Sequence, residues 1–354
     1  MESVSMVMPD CFPDGKRYNT FVGYYKRVYG ERLQKLVIDA GFTCPNRDGT
    51  VGYGGCSFCD NAAFHPSYST AGKSIAAQID EGIEFHQVRY RNTRHYLAYF
   101  QSYSNTYAPL PRLKELYLEA LSHPHIVGIV IGTRPDCIDE EKLDWLAELK
   151  AGRALPDWHR DGFGSPVVKV EYGIESCYDA TLLRVGRGHD VAAAERAVRL
   201  SAERGLDPGA HFILGLPGES RSMLVDQCSF ISSLPLHSVK FHQLQLVKGT
   251  RIEKEYAAVP DDFLRLDLPE YLDLVVDILE RLRPDLYIER VAGEVPPRFV
   301  KETQWGLIRN FQILHLLDDR LSARNTWQGR LFRHQFSFKP ATSSSVSPVA
   351  SQMV

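Results

Sequence analysis

Six apolar, β-branched runs separated by amphipathic stretches set the strongest limit on how this 354-residue chain can fold. The runs are KLVIDAG (35–41), HYLAYFQ (95–101), HIVGIVIGT (125–133), VVKVEYGIES (167–176), AHFILGLPGE (210–219) and SVKFHQLQLV (238–247). Each has the length and composition of a strand buried in a parallel sheet. Between them the spacing predicts helices over 73–90, 110–122, 139–151, 190–205 and 221–233. In DVAAAERAVRLSAERG, Asp190 can cap the start, Val191, Ala194, Val198 and Ala202 keep helical spacing, and Gly205 marks the end. Asp139 and Gly152 do the same for DEEKLDWLAELKAG. Strand then helix, repeated, means right-handed βα units, which build either a doubly wound sheet or a full or partial barrel. The pattern does not choose between them, but both put the active site at the C-terminal strand ends.

After residue 247 the strand rhythm stops. PEYLDLVVDILERLRPD reads as helix and leads into a basic, aromatic stretch ending near NTWQGRLF, while KPATSSSVSPVASQMV is Ser/Pro-rich without periodicity and reads as disordered. The expected organisation is an N-terminal segment (1–34), a βα unit array (35–247), a C-terminal extension (248–335) and a tail (336–354).

The chemistry concentrates in CPNRDGTVGYGGCSFCD, where eleven residues separate Cys44 from Cys56 and two separate Cys56 from Cys59. Seven cysteines in all, four of them scattered, favour metal or catalysis over disulfides in a reducing compartment. Thiolates are soft ligands for zinc or iron–sulfur clusters. A structural zinc site wants four protein ligands, and here the fourth would have to be His65 or a distant cysteine. Three cysteines holding a cluster leave one iron open. Spacing alone leaves zinc and cluster level, with unligated cysteines a minor third reading, but the stretch follows the first strand, an active-site address in a βα array. The formal charge of -3 gives no global basic footprint, so nucleic acid would need a local patch. No run reaches the roughly 18 apolar residues of a membrane span, and the N-terminus lacks a secretory apolar core, so the expectation is a cytoplasmic protein with no membrane partner.

GFTCPNRDGTVGYGGCSFC, YLAYFQSYSNTYA, GTRPDCI, VEYGIES, GRGHD, GLPGE and LVKGT, in this order over roughly residues 20–330, resemble the YhcC/YtqA family of radical S-adenosylmethionine (SAM) proteins, relatives of the Elp3-like branch. The long first cysteine gap departs from the short Cys-x3-Cys-x2-Cys pattern of the superfamily and is usual for this branch. The resemblance implies a partial (β/α)6 TIM-type barrel with a helical C-terminal extension. It implies a [4Fe–4S] cluster held by Cys44, Cys56 and Cys59, with SAM on the open iron and a 5′-deoxyadenosyl radical as product of its reductive cleavage. A donor such as flavodoxin or ferredoxin would supply the electron.

By the same resemblance Phe58 packs against adenine, or is an ordinary core aromatic. Glu175 contacts the SAM ribose, or pairs structurally with Glu171 and nearby arginines. Arg187 matches an arginine that binds the SAM carboxylate, which its fork geometry suits, or is a helix-surface residue. His211 stands where relatives contact the ribose, or is a satisfied core histidine. Gln101, Ser102 and Ser104 offer acceptors for the SAM ammonium. Gly215 and Gly218 shape a loop over the adenine. Arg134 and Asp136 bind SAM or substrate, or pair with each other. Asn46, Arg47 and Asp48 hang beside the cluster toward substrate. Cys137, Cys177 and Cys228 suggest no second cluster.

The implied target is a tRNA wobble uridine, converted from its carboxymethylaminomethyl to its aminomethyl form, and acetyl-CoA chemistry is not expected. Arg281, Arg283, Arg290, Arg298, Lys301, Arg309, Arg320, Arg324 and Arg330, interleaved with Tyr287, Trp305 and Trp327, could contact phosphates and stack a base. Glu289, Glu294, Asp318 and Asp319 among them also fit a solvated helix face. The rivals are radical chemistry on a small metabolite or another macromolecule, and a zinc-stabilised RNA-binding protein without catalysis.

Overall fold

The computed structural model describes residues 12, 15–88 and 93–333. The predicted runs become β1 (Gln34–Ile38), β2 (Tyr96–Phe100), β3 (Ile126–Thr133), β4 (Val167–Glu175), β5 (Gly209–Leu214) and β6 (Ser238–Gln243). A short helix α1 (Phe21–Tyr29) precedes them, and α2 (Ile75–Gln87), α3 (Leu110–Ser122), α4 (Glu140–Lys150), α5 (Asp179–Arg184), α6 (Val191–Glu203) and α7 (Arg221–Ser233) connect them. The caps behave as the sequence says. Asp139 accepts from the Lys142 N–H and Asp190 from the Ala193 N–H, while Gly152 and Gly205 follow their helices at φ +78° and +72°.

The strands pair in parallel in the order β1 to β6, and a seventh, β7 (Tyr287–Arg290), extends the sheet beyond β6. The strand rhythm therefore does not end at residue 247. β7 is four residues, half of them charged, and its place depends on a partner 49 positions away, Tyr287 lying opposite Ser238. Between β6 and β7 run α8 (Arg251–Ala258) and α9 (Leu268–Arg281); β8 (Gln304–Leu307), outside the sheet, and α10 (Asn310–Ala323) follow.

The seven strands form a half-barrel with a strict division of faces. One face carries Leu36, Ile38, Phe100, Ile131, Val170, Phe212 and Phe241, all fully buried with the helices in one core. Burial of aliphatic side chains at about 1.5–3 kcal/mol each makes this face the main source of stability. The other face lines the lumen and carries Lys35, Tyr99, Lys169, Glu171, His211, Lys240 and Glu289. α1 packs Phe21 and Tyr25 against Leu97, Tyr99 and Val130, and the Phe21 ring lies 3.9 Å beneath the Lys169 ammonium. The N-terminal segment thus plugs one end of the lumen, and Thr20 bridges Ile288 at the β7 edge.

The C-terminal extension is committed internally. Arg320 and Arg324 reach Asp273 at 3.0 and 2.6 Å, and Arg324 also reaches Asp277 at 2.9 Å, fixing α10 on α9. Lys301 pairs with Glu253, Arg283 with Asp285, and Arg330 lies over the buried Trp327 ring. The Trp305 indole donates to the Leu266 carbonyl. Trp327 is packed rather than available to stack a base, and Glu289 is a lumen residue rather than part of a solvated helix face. The tail 336–354 lies outside the described residues.

Candidate active site at the C-terminal strand ends

The three cysteines leave the C-terminal end of β1 on a loop fixed from across the barrel. Buried Asn46 donates from Nδ2 to the Gly186 and Arg187 carbonyls at 2.7 and 2.9 Å and faces the Cys56 sulfur at 3.5 Å. Gly188 permits this approach: it sits at φ +76°, and a Cβ there would come within 2.8 Å of Val51. Arg251 donates to the Gly55 carbonyl at 2.5 Å. Asn46 therefore anchors the loop instead of facing substrate, and Asp48 accepts from the Thr50 N–H. Arg47 does face the cavity.

Each thiol meets a guanidinium. Arg187 Nη1 stands 3.4 Å from Cys56 Sγ, Arg47 Nη2 3.6 Å from Cys59 Sγ, and Arg134 Nη1 4.0 Å from Cys44 Sγ. Arg134 is buried, held by a two-pronged pair with Asp136 at 2.9 and 2.7 Å, so these two residues do pair with each other. Cations facing three sulfurs suit an anionic cluster, although at Cys59 burial outweighs them and pushes the thiol pKa up. A zinc knuckle fits less well. Zn–S bonds of about 2.3 Å bring sulfurs within about 4 Å of one another. Among the described residues no three His, Cys, Asp or Glu side chains are gathered closely enough to hold one metal ion. His65, the candidate fourth ligand, is engaged by Ser102 Oγ at 2.8 Å and faces Asp39 at 3.8 Å.

Cys44, Cys56 and Cys59 line one cavity of about 250 Å³ together with Phe58, Gln101, Glu175, Arg187 and His211. Phe58 sits between two cysteines and packs on the cluster formed by Val185, Leu216, Leu244, Ile252 and Phe263. Glu175, at the end of β4, has φ +72°, an uncommon state for a residue with a side chain. Its carboxylate lies 3.8 Å from Arg187, and burial, only partly offset by that arginine, pushes its pKa up to about 7. Gly173 leaves space for both, since a Cβ there would lie 2.6 Å from the Glu175 carboxylate and 2.7 Å from Arg187. The Arg187 Nε is buried without a partner among the described residues.

Ser102 and Ser104 do not reach the cavity wall. Both are fully buried: Ser102 bonds His65, and Ser104 Oγ bonds Thr133 Oγ1 at 3.0 Å and accepts from the Arg134 N–H at 3.2 Å. Tyr103 between them, at φ +63°, turns to the cavity with Arg47 over its ring. Tyr107 bonds Thr50 at 2.8 Å. Gly215 and Gly218 adopt φ +92° and +83° around the buried Leu216.

Deeper in the lumen lies a constellation that strand-by-strand reading misses. Glu171, fully buried, accepts from Lys35 at 2.7 Å, Lys169 at 3.2 Å, Lys240, and His211 Nε2 at 3.1 Å. Glu289 takes Lys169 at 2.6 Å, Lys240 at 3.0 Å and Lys35. The β1 lysine thus spans to the β7 glutamate across the edges of the half-barrel. Burial and Lys240 hold His211 neutral, at about 4. The signal is in the sequence: Lys169, Glu171, Gly173 and Glu175 alternate along β4, as do Ser238, Lys240 and His242 along β6.

The radical SAM superfamily model matches residues 44–231 and the radical SAM C-terminal domain model residues 236–323. YtqA of Bacillus subtilis is 32% identical over 324 residues, covering 90% of this chain and 94% of its own. YhcC of Escherichia coli K12 is 34% identical over 279 residues, 78% and 84% of the two chains. A tRNA uridine(34) acetyltransferase of Dehalococcoides mccartyi is 25% identical over 182 residues, 49% of this chain and 35% of its own. Among solved structures, the archaeal Elp3 of Methanocaldococcus infernus with an N-terminal deletion matches at a TM-score of 0.60 and 16% identity, covering 84% of this chain and 64% of that one. That last likeness is one of fold.

Proposed function

The chain belongs to the radical SAM superfamily, within the YhcC/YtqA family, and we propose that it is a radical SAM enzyme acting on a tRNA wobble uridine. Cys44, Cys56 and Cys59 would hold a [4Fe–4S] cluster with SAM on its open iron. Together they supply a 5′-deoxyadenosyl radical able to take hydrogen from an unactivated carbon, given an electron from flavodoxin or ferredoxin. Arg187 and Glu175 then share the SAM end of the cavity. The guanidinium, whose Nε is buried and unpaired, binds a carboxylate, and the Glu175 carboxyl meets the ribose hydroxyls. Phe58 presents its ring to the adenine and Gln101 its amide to the amino group. His211 is tied to Glu171, which leaves its remaining ring nitrogen for a cavity ligand.

The observation that carries the cofactor reading is three cysteine sulfurs on one cavity, each faced by a guanidinium. The tRNA reading is supported by the distant relative named for uridine 34. The favoured conversion is carboxymethylaminomethyl to aminomethyl uridine.

Anaerobic reconstitution with iron and sulfide tests the first reading. A brown protein whose visible band is lost in the Cys44, Cys56 and Cys59 to Ala variants supports the cluster; a colourless protein with stoichiometric zinc refutes it. Mass spectrometry of tRNA nucleosides from a deletion strain tests the second. The carboxymethylaminomethyl form should accumulate, and an unchanged profile in an organism without a redundant route would refute it.

A further inference from the structure

The cavity that begins at the cysteines is bounded on the β6–β7 side by Lys240, His242, Arg290 and Gly293. Charge is unbalanced there. The three lumen lysines already satisfy Glu171 and Glu289, so three positive and two negative groups leave an excess of one positive charge. Arg290 adds a second. Its guanidinium makes no ion pair or hydrogen bond among the described residues, yet it stands on the wall of the cavity. Asp60, Glu171 and Glu175 are the carboxylates on that wall; Glu175 belongs to Arg187, Glu171 to the lysines, and Asp60 caps the turn at Asn61–Ala63.

Lys240 and His242 add donors beside Arg290. The His242 and His211 rings lie 5.7 Å apart, centroid to centroid. Burial, with Arg290 next, holds His242 neutral, so its ring keeps one N–H, whereas the single N–H of neutral His211 is already donated to Glu171. The chain after β7 is pinned: Gln243 donates to the Gly293 carbonyl at 3.0 Å and accepts from its N–H at 2.9 Å. Gly293 itself is required, because a Cβ there would meet His242 Nδ1 at 2.9 Å.

We propose that Arg290, flanked by Lys240 and the imidazole of His242, forms a subsite for a substrate carboxylate in the same cavity that holds the cysteines. A guanidinium fork with a neutral N–H donor beside it matches a planar monoanion. Arg290 is solvent-exposed at the β7 end of the cavity, so backbone phosphate is the rival ligand, and comparison of carboxylate with carboxamide separates the two. The inference rests on the wobble-uridine reading for the identity of the ligand: a carboxymethylaminomethyl arm ends in such a group, and the aminomethyl product does not. Arg290 would therefore distinguish substrate from product.

Two measurements on the reconstituted protein with SAM separate the two ideas. The first compares affinity for anticodon stem-loop RNAs bearing carboxymethylaminomethyluridine or its neutral carboxamide. The wild type should prefer the carboxylate about 10- to 100-fold, as one charge-assisted forked contact predicts. Arg290→Gln should lose the preference and Arg290→Lys keep part of it, with the visible absorbance of the cluster unchanged in both. The second labels arginines with phenylglyoxal and maps them by mass spectrometry in the presence of N-methylglycine or its neutral amide. Protection of Arg290 by the acid alone supports the subsite whether or not RNA binds. Failure to bind either RNA while protection persists removes the tRNA reading and leaves the carboxylate subsite. Equal affinity for the two RNAs, preference retained in Arg290→Gln, or no selective protection overturns the proposal.

Discussion

Replacing Glu289 by Gln should cost about 3–5 kcal/mol at neutral pH, the usual effect of removing one partner of a buried ion pair. Glu289 is shared by Lys35, Lys169 and Lys240, and its loss leaves Glu171 alone with three ammonium groups. Lys169 and Lys240 are only 3% and 5% exposed at their side chains, so water screens little of the repulsion. Burial and Glu171 would raise the Glu289 pKa, but the three lysines outweigh them and hold it well below the usual carboxylate range. A depressed pKa means that the stabilisation is present above the unfolded-state value and is lost as pH falls through the acid range. The penalty should therefore be full at pH 7 and shrink below about pH 4. For a chain of this size it corresponds to a fall in Tm of about 4–7 °C. Urea unfolding of the cluster-free protein, followed by circular dichroism at several pH values, reads both. The double variant Lys169→Met/Glu289→Gln removes one charge of each sign and should recover at least about 1 kcal/mol of the summed single losses. A Glu289→Gln cost below about 1 kcal/mol, or additive losses in the double variant, would mean that the lumen is wet and the network screened.

Asn46→Ala removes the side-chain donor of the Gly186 carbonyl and one of the two donors of the Arg187 carbonyl, which keeps Arg134 at 2.6 Å, and should cost about 1–3 kcal/mol. Iron bound per chain after reconstitution should fall with it, since the same side chain fixes the cysteine loop. Glu219, buried and hydrogen-bonded to Ser176 at 2.5 Å, has its pKa pushed up to about 7 by burial. A raised carboxyl pKa stabilises the fold below the unfolded-state value, and that contribution is lost as pH rises through about 7. Glu219→Gln should accordingly flatten the decline in stability between about pH 4.5 and pH 7, worth up to about 3 kcal/mol across that window. Asp273→Asn, which breaks half-exposed pairs to Arg320 and Arg324, should lower stability by at most about 1–2 kcal/mol, seen as earlier proteolysis near α10.

The contrast between what the sequence discloses and what it conceals follows the range of the interactions. Six strands and five helices between them are legible because apolar runs and caps such as Asp139 and Asp190 act within a few residues. The cysteine site is legible by its spacing. Its guanidinium partners are not, because Arg134 and Arg187 arrive on loops 90 and 131 residues from the sulfurs they face. Ser102 and Ser104 look equivalent to any acceptor on a catalytic loop until the φ of +63° at Tyr103 between them decides which side chains turn inward. β7 is hidden for a related reason: YIER is too short and too charged to signal a strand without its neighbour β6.

The lumen charges are the instructive intermediate case. Charged residues in the middle of an apolar run are costly wherever both faces of a sheet meet helices. Lys169 and Glu171 in VVKVEYGIE, and Lys240 in SVKFHQ, therefore argue for a barrel over a doubly wound sheet, because only a barrel gives a parallel strand one face that does not pack on helices. The alternation also fixes which face that is, placing Lys169, Glu171, Gly173 and Glu175 together on the lumen side. What alternation alone cannot supply is balance. Three lysines and two glutamates come from four strands spread over 255 positions, from Lys35 to Glu289. Only their closure shows that Arg290, the next residue along β7, has no carboxylate left to meet among the described residues and is open to one brought by a ligand.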